Sequence, residues 1–305
     1  MPKLVSQKQL KQALRWCVTT HHGRVVTVGL MVGLFYWHTY ISFFVEDLWK
    51  GKSQVVLNVG FLYLGLRPFW AHRHDLAKVT VLADDRIIGH VIILAAALWL
   101  PFSGSSISLQ AFLWMLILIG IAWSSFTPAI FGSFPLASLL TLAGFYPDWI
   151  WLSSQVIQAV TGPYQLENGM AWVSSQLLRA MGQTVEAQAR FINLPAGAVE
   201  VAPGCSGYDM AFVLAGISVV WGLLVKQTWP RILLVATLGI ATALILNIPR
   251  IMLMTFAAVY WGEDSFNFWH GAWGGQIFSA IMFTAYYYGA IAVFNQSCPQ
   301  QSTRG

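Results

Sequence analysis

The 305-residue chain has few charged residues, and this scarcity limits what kind of protein it is. Only 10% of its residues are charged and 57% are hydrophobic, whereas soluble globular domains carry about 25% charged residues. The composition excludes an ordinary soluble domain and predicts an all-α polytopic protein within a lipid bilayer. Much of the net charge of +5 precedes the first apolar run, as in a cytoplasmic flank, so no nucleic-acid partner is expected.

Cysteine is also scarce, which excludes a disulfide framework. The chain has three widely spaced cysteines: Cys17, Cys205 and Cys298. An odd count without a CxxC pair predicts neither paired disulfides nor a zinc or redox centre. We therefore expect no metal and no other cofactor, and we expect Cys17 and Cys298 to be incidental.

Six histidines lie outside the main motifs, and no pair of them has the spacing of metal ligands. Four are expected to be solvated residues of cytoplasmic loops: His21, His22, His72 and His74. Two lie within apolar segments and are expected to be packed and hydrogen-bonded: His38 and His90.

Apolar segments long enough to cross a bilayer recur along the chain. We predict eight, at 25–45, 54–70, 87–103, 107–125, 127–146, 209–226, 231–248 and 270–294. Lys and Arg gather before the first, between the second and third, and between the sixth and seventh. The positive-inside rule places these loops in the cytoplasm. This topology predicts a cytoplasmic N-terminal segment at 1–24, a cytoplasmic tail at 296–305 and a long outer region at about 147–208.

The outer region is predicted to contain short helices and a β-hairpin. The stretch "NGMAWVSSQLLRAMG" is typical of a helix that stops at Gly182. Apolar residues then alternate with polar neighbours, and "LPAG" is typical of a turn. The pattern predicts a hairpin over 184–202 that leads directly to Cys205.

Cys205 lies in "EVAPGCSGYDMAF", a turn that precedes a long apolar run. Ser206 and Asp209 match the [ST]-x-x-[DE] capping box, which predicts that Cys205 sits one residue before the helix cap. The positive end of a helix favours a thiolate, whereas Asp209 opposes it. The alternative is a small buried apolar residue, as most free cysteines are.

Arg250 lies among apolar residues in "LILNIPRIMLM". Pro249 is expected to end the seventh span, which places Arg250 near the outer mouth. An arginine at such depth is either functional and paired or an interfacial anchor. Asn247 is expected to cap the next helix or to steer Arg250.

His270 opens the last span in "NFWHGAWGGQIF". Three glycines after it are expected to let another helix approach closely: Gly271, Gly274 and Gly275. The apolar linker 251–261 would be about 17 Å long as a helix, too short to cross a core of about 30 Å. Arg250 and His270 therefore stay on one side, and the topology adds Cys205 to that outer face.

The ordered motifs "PGCSGYD", "NIPR" and "HGAWG" resemble those of the exosortase/archaeosortase family. The form "APGCSGY" is similar to its cyanobacterial branch, the cyanoexosortases. The resemblance covers roughly 130–295. It implies an exosortase-like transmembrane domain at 25–295 with a catalytic core at about 200–290. It also implies a multi-pass protein of the plasma (inner) membrane with its active site on the extracytoplasmic face.

The resemblance further implies a membrane-embedded cysteine protease or transpeptidase. Its partners would be exported proteins with a C-terminal sorting signal of the PEP-CTERM type, which comprises a short motif, a transmembrane helix and a basic tail. By matching motif, Cys205 would be the nucleophile, Arg250 the oxyanion or thiolate stabiliser, and His270 the general acid/base. Three further residues would support them: Ser206, Gly207 and Asn247. The sequence departs from the family in having "GYD" where Gly-Leu is commoner.

Non-enzymatic functions remain open from the residues alone. A membrane transporter or assembly subunit could use Arg250 and His270 to bind an anion and leave Cys205 inert. A transporter would be expected to show inverted repeats and broken helices, and no internal repeat is evident. A glycan-lipid transferase would need acidic metal ligands, and the outer acidic residues lack that spacing.

Overall fold

The computed structural model describes residues 18–49 and 54–295. The predicted tail at 296–305, most of the segment 1–24 and the residues Cys17 and Cys298 lie outside them. The chain divides into two compact units, and the boundary lies between residues 149 and 150. Both units are mainly helical, as expected, and the second also contains a small β-sheet.

The first unit consists of helices. They are α1 (His21–Trp49), α2 (Gln54–Ala71), α3 (Arg73–Leu76), α4 (Ala83–Trp99), α5 (Ile107–Phe126), α6 (Ala129–Ser133) and α7 (Pro135–Phe145), with a 3-10 turn at Leu100–Ser103. Helices α4 and α5 approach closely because glycines face each other. A Cβ on Gly89 would lie 2.7 Å from the Gly120 carbonyl oxygen. The adjoining core contains the buried side chains of Trp114 and Ile117.

The second unit combines helices with three short strands. They are α8 (Trp149–Thr161), α9 (Gln165–Ala180), β1 (Glu186–Gln188), β2 (Phe191–Leu194), β3 (Gly197–Glu200), α10 (Tyr208–Leu224), α11 (Trp229–Phe256), α12 (Glu263–His270) and α13 (Ala272–Asn295). A 3-10 turn covers Pro203–Cys205 and a π-helical turn covers Ala257–Trp261. Helix α9 ends as predicted, and Gly182 follows it with a φ of +87°.

Four helices among the described residues are long and apolar enough to cross a membrane. They are Ala83–Ser103, Ile107–Phe126, Trp229–Trp261 and Ala272–Asn295. The predicted count of eight spans is therefore not established. The predicted span 127–146 is two helices, α6 and α7, separated at Phe134. Phe134 precedes Pro135, and the residue before a proline is disfavoured in the helical conformation.

The prediction that Pro249 ends the seventh span is wrong. Helix α11 continues through Pro249 to Phe256 and then into the π-helical turn. A proline removes one backbone hydrogen bond, a cost that long apolar helices tolerate where neighbouring elements support them. Arg250 is therefore an internal residue of a long helix.

The predicted two-stranded hairpin is a three-stranded antiparallel sheet in the order β1-β2-β3. The "LPAG" turn is confirmed between β2 and β3, where Leu194 pairs with Gly197. A second turn at 189–190 was missed because Ala189 fits the apolar alternation, although its backbone has a φ of +51°. The sheet packs its buried Ile192 with residues of α9 and with Ile251 of α11. The sheet is thus anchored beside Arg250.

Candidate active site

Helices α10, α11 and α13 bring three parts of the chain to one end of the second unit. Helices α10 and α11 are antiparallel, since Gly207 contacts Asn247 and Leu214 contacts Gly239. Helices α10 and α13 are parallel: Ser279 hydrogen-bonds to Met210, and Tyr286 hydrogen-bonds to Ser218 at 2.8 Å. The beginnings of α10 and α13 and the last part of α11 therefore share one end. Cys205, His270 and Arg250 lie at these three positions.

Cys205 lies at the end of the 3-10 turn that joins the sheet to α10. Its backbone N–H donates to the Ala202 carbonyl at 2.8 Å. The next residue, Ser206, is fully buried and donates its hydroxyl to the Pro203 carbonyl at 2.8 Å. Both bonds close the turn upon itself, which leaves the half-buried thiol at a fixed point before the helix.

The predicted capping box is absent. The cap of α10 is Gly207, whose φ is +88° and which has no side chain with which to cap the helix. Ser206 precedes the cap, and its hydroxyl donates to the Pro203 carbonyl. Cys205 consequently lies two residues before the cap.

Gly207 is required by space as well as by conformation. A Cβ at this position would lie 3.0 Å from the Asn247 Cβ, and an L side chain rarely adopts this φ. The tight approach lets Asn247, which is fully buried, donate its Nδ2 to the Cys205 carbonyl at 2.7 Å. Asn247 therefore neither caps a helix nor bonds to Arg250, but holds the cysteine turn.

Arg250 lies three residues after Asn247, on the same side of α11. Its Nε is buried and has no hydrogen-bond partner among the described residues, and the same holds for the Asn247 Oδ1. Buried polar atoms are nearly always satisfied, and exceptions call for an explanation. We call Cys205, Asn247 and Arg250 the cysteine cluster; it retains unused donors and acceptors beside a thiol.

Burial raises the pKa of the Cys205 thiol. The Arg250 guanidinium acts to lower that pKa, and the Asp209 carboxylate acts to raise it. The expectation that the helix end favours a thiolate is therefore outweighed by desolvation. The opposing effect of Arg250 indicates that its charge acts on the sulfur.

His270 is exposed at the end of α12, where its ring stacks on Phe266 with centroids 5.1 Å apart. No hydrogen bond joins it to the cysteine cluster within the described part of the chain. Two of the three glycines after it lie at the turn between α12 and α13. A Cβ on Gly274 would lie 2.1 Å from the Trp269 carbonyl oxygen and one on Gly271 would lie 2.5 Å from the Asn267 carbonyl oxygen, whereas a Cβ on Gly275 would meet nothing within 4 Å. Close helix approach, which was expected of Gly274, is not the reason for it.

The histidines of the first unit agree with expectation in part: His90 is buried and hydrogen-bonded as predicted, whereas His22 is half-buried within a helix and not in a solvated loop. His22 lies in α1, and its Nδ1 is 2.8 Å from the His90 Nε2, while the His21 ring lies 5.5 Å from that of His90. We call these three residues the histidine cluster. His38 is exposed, although it was predicted to be packed. His72 and His74 are exposed, as predicted. No group of metal-ligand residues occurs within 18–49 and 54–295.

Sequence reasoning missed Arg190. Its guanidinium lies over the Tyr164 ring at 4.1 Å and its Nε contacts the Glu200 carboxylate at 2.9 Å. Arg190, directly before the central strand β2, therefore links Tyr164 at the start of α9 to Glu200 of the edge strand β3. The contact with Tyr164 has no local signal, because Tyr164 lies outside the predicted hairpin 184–202.

One family model matches the chain, that of the transmembrane exosortase (Exosortase_EpsH), over residues 52–287. The matched residues cover most of the chain and include Cys205, Arg250 and His270. Comparisons with curated proteins and with solved structures give no match. The four membrane-length helices and this match make the protein a multi-pass membrane protein, embedded in a lipid bilayer, that belongs to the transmembrane exosortase family.

Proposed function

We propose that the protein is a membrane cysteine transpeptidase that cleaves C-terminal sorting signals of exported proteins through a thioester on Cys205. The family is one of membrane cysteine transpeptidases, and the "APGCSGY" form favours its cyanobacterial branch. The substrate would carry a PEP-CTERM-type motif, its own membrane helix and a basic tail. This proposal assigns Cys205, Arg250 and His270 the roles that the motifs imply.

The observation that carries the proposal is the unsatisfied polarity of the cysteine cluster. Asn247 fixes the Cys205 carbonyl, while the Arg250 Nε beside it is buried without a partner. A purely structural arginine would be expected to satisfy its donors. A peptide carbonyl presented to the thiol would supply the missing acceptor.

In the first step, the Cys205 sulfur attacks the scissile carbonyl carbon and forms a C–S bond. The carbonyl oxygen becomes an oxyanion, which accepts hydrogen bonds from Arg250; removing one such donor costs about 10²–10³ in kcat in well-studied enzymes. The start of α10 adds positive potential at the same place. Because burial raises the pKa of the thiol, the thiol keeps its proton until the substrate binds, and the proton then passes through water to neutral His270.

In the second step, the oxyanion collapses, the C–N bond breaks and His270 protonates the departing amine. A thioester on Cys205 remains. Neutral His270 then removes a proton from the acceptor, whose nucleophilic atom attacks the thioester and releases the thiolate. An amine acceptor yields a transferred product and water yields hydrolysis. The exposed position of His270 suits contact with the leaving amine rather than with the thiol.

The length of α11 supports an active site at a membrane boundary. From Trp229 to Arg250 the helix extends about 32 Å, close to the thickness of about 30 Å of a hydrocarbon core. With Lys226 and Arg231 at the cytoplasmic end, Arg250 reaches the opposite, extracytoplasmic face. The proposed location is the plasma membrane, and the count of eight spans stays a prediction.

The outer edge of β3 offers a docking place for an extended substrate segment. The Val201 N–H donates to the Arg190 carbonyl at 2.8 Å, so N–H groups alternate in direction along this strand. Those of Ala198 and Glu200 therefore point away from β2. A substrate added as a fourth strand would run beside residues that lead directly to Cys205.

The test is co-expression of the protein with an exported reporter that ends in a sorting signal, a membrane helix and basic residues. Wild-type protein should shorten the reporter, and Cys205→Ser should lose processing by a factor on the order of 10³ or more. A covalent peptide on Cys205, labile to hydroxylamine and identified by mass spectrometry, is expected for the wild type.

Cys17→Ser is the matched control and should process the reporter normally. Undiminished processing by Cys205→Ser would refute the thioester. A transport or assembly protein would instead tolerate Cys205→Ser and depend on Arg250 and His270 alone.

A further inference from the structure

The first unit contains an apolar cavity with two arginines at its border. Its volume is about 790 Å³ and its walls are almost entirely apolar. This is within the range of about 300–1,000 Å³ that ligand pockets have. Side chains from the end of α2 and the end of α5 form the wall: Tyr63, Leu66, Phe69, Trp70, Ala122 and Phe126.

The cavity is open at the surface, where several of its apolar side chains are exposed. Tyr63 is 58% exposed and Trp70 is 69% exposed. In a protein embedded in a bilayer, such a surface faces acyl chains, and tryptophan marks the level of the headgroups. The apolar space thus lies beside the headgroup level.

Arg67 and Arg73 supply the charge at this level. Arg73 donates its Nη1 to the Trp70 carbonyl at 2.9 Å and lies over the Trp70 ring at 5.2 Å. Arg67 has no hydrogen bond or ion pair among the described residues. The Asp75 carboxylate, two residues after Arg73, pairs with Lys78 at 3.2 Å, and no ion pair joins it to Arg67 or Arg73 among the described residues.

A second cavity of about 530 Å³ adjoins the first and shares Leu76, Ala77 and Phe126 with it. Its lining is more polar and adds Arg86 and Ser125. The first unit therefore offers an apolar space, cations at its border and an adjoining polar space that shares lining residues with it. This is the sequence of environments along an anionic phospholipid.

We propose that the first unit binds one molecule of an anionic phospholipid at this place. An acyl chain fills the apolar cavity, Arg67 and Arg73 hold the phosphate, and the polar cavity accommodates the rest of the headgroup. Basic pockets between membrane helices bind anionic lipid headgroups by the same physics.

The test uses the full chain in detergent, native mass spectrometry, and phosphatidylglycerol and phosphatidylcholine with identical acyl chains. Phosphatidylglycerol should saturate at one molecule per chain and bind at least 10-fold more tightly than phosphatidylcholine. The double variant Arg67→Gln, Arg73→Gln should weaken phosphatidylglycerol about 30-fold, at about a factor of five per arginine. Ala122→Phe, which fills the apolar cavity and keeps every charge, should weaken both lipids.

Arg24→Gln is the matched control, since Arg24 is an exposed cation of the same unit that borders neither cavity. It should leave the affinity unchanged. Equal binding of the two lipids by the wild type overturns the proposal without any variant. Undiminished phosphatidylglycerol binding by a folded double variant would also overturn the proposal. A dimer that Ala122→Phe abolishes would overturn it too, because it would assign the cavity to a second copy of the chain.

Discussion

The cysteine cluster of the second unit and the histidine cluster of the first satisfy their polar groups in opposite ways. In the histidine cluster, His22 and His90 hydrogen-bond to each other at 2.8 Å. In the cysteine cluster, Arg250 and Asn247 each keep a buried polar atom without a partner. The first arrangement is complete within the protein, whereas the second needs an additional group to complete it.

The difference separates polar groups that are satisfied within the protein from polar groups that are not. A pair that satisfies itself stabilises the helices to which it belongs, here α1 and α4. A donor held beside a thiol and left unsatisfied is available to a substrate. Substitutions in the cysteine cluster should therefore lower processing, whereas substitutions in the histidine cluster should lower the stability of the fold.

Arg250→Gln should have the largest effect of these substitutions. Loss of a charged donor to the oxyanion is expected to lower processing about 10²–10³-fold with little change in the apparent melting temperature. The reporter assay measures the first quantity, and thermal unfolding in detergent measures the second. A variant that processes normally would show that the unsatisfied Nε has no catalytic use.

The same variant should change how Cys205 reacts with iodoacetamide as pH rises. The thiolate is the reactive form, and burial already raises the pKa of this thiol. Removing the Arg250 charge removes an influence that lowers the pKa, so alkylation should begin at higher pH than in the wild type. Arg250→Lys is the matched control: it keeps the charge and the alkylation profile but loses the guanidinium geometry needed for full processing.

Ala198→Pro should have an intermediate effect and tests the docking edge of β3. It removes an N–H that points away from β2, so the sheet should stay intact. Loss of one hydrogen bond to the substrate should raise KM about 2–10-fold with kcat retained. Val199→Pro is the contrast, because its N–H points towards β2 and its loss should destabilise the sheet. An unchanged KM in Ala198→Pro would exclude strand addition at this edge.

His90→Leu should have the smallest effect on function. It leaves His22 without its ring partner and should cost about 1–3 kcal/mol of stability, seen as a lower apparent melting temperature. Processing per folded molecule should stay within about twofold of the wild type, since a satisfied structural pair contributes no donor to a substrate. Abolished processing in a normally stable His90→Leu protein would contradict the purely structural role of the His22–His90 pair.

Local patterns predicted much of the second unit but not its exact connections. The end of α9 before Gly182 and the "LPAG" turn follow from residues that favour these conformations. The turn at Ala189 was missed because an alanine with positive φ has no sequence signal. The continuation of α11 through Pro249 was missed because a proline's cost is local, whereas the packing of Ile251 against the sheet that supports the helix is not.

The candidate site shows the same division. The motifs around Cys205, Arg250 and His270 are visible in the sequence, and so is the family that they indicate. The bond from Asn247 to the Cys205 carbonyl, and the glycine cap of α10, were not predicted. Ser206 and Asp209 match the capping-box pattern in the sequence. In the structure, the cap of α10 is Gly207, and the Ser206 hydroxyl donates to the Pro203 carbonyl within the 3-10 turn.

By itself, the sequence determined that this chain is a helical membrane protein with three candidate catalytic positions, because apolar length, charge bias and short motifs are local properties. The tertiary structure decided which polar groups are satisfied. It pairs His22 with His90, ties Asn247 to Cys205 and leaves Arg250 with an unused donor. These outcomes depend on which helices lie side by side and in which direction, and residues distant in sequence meet only after the helices pack.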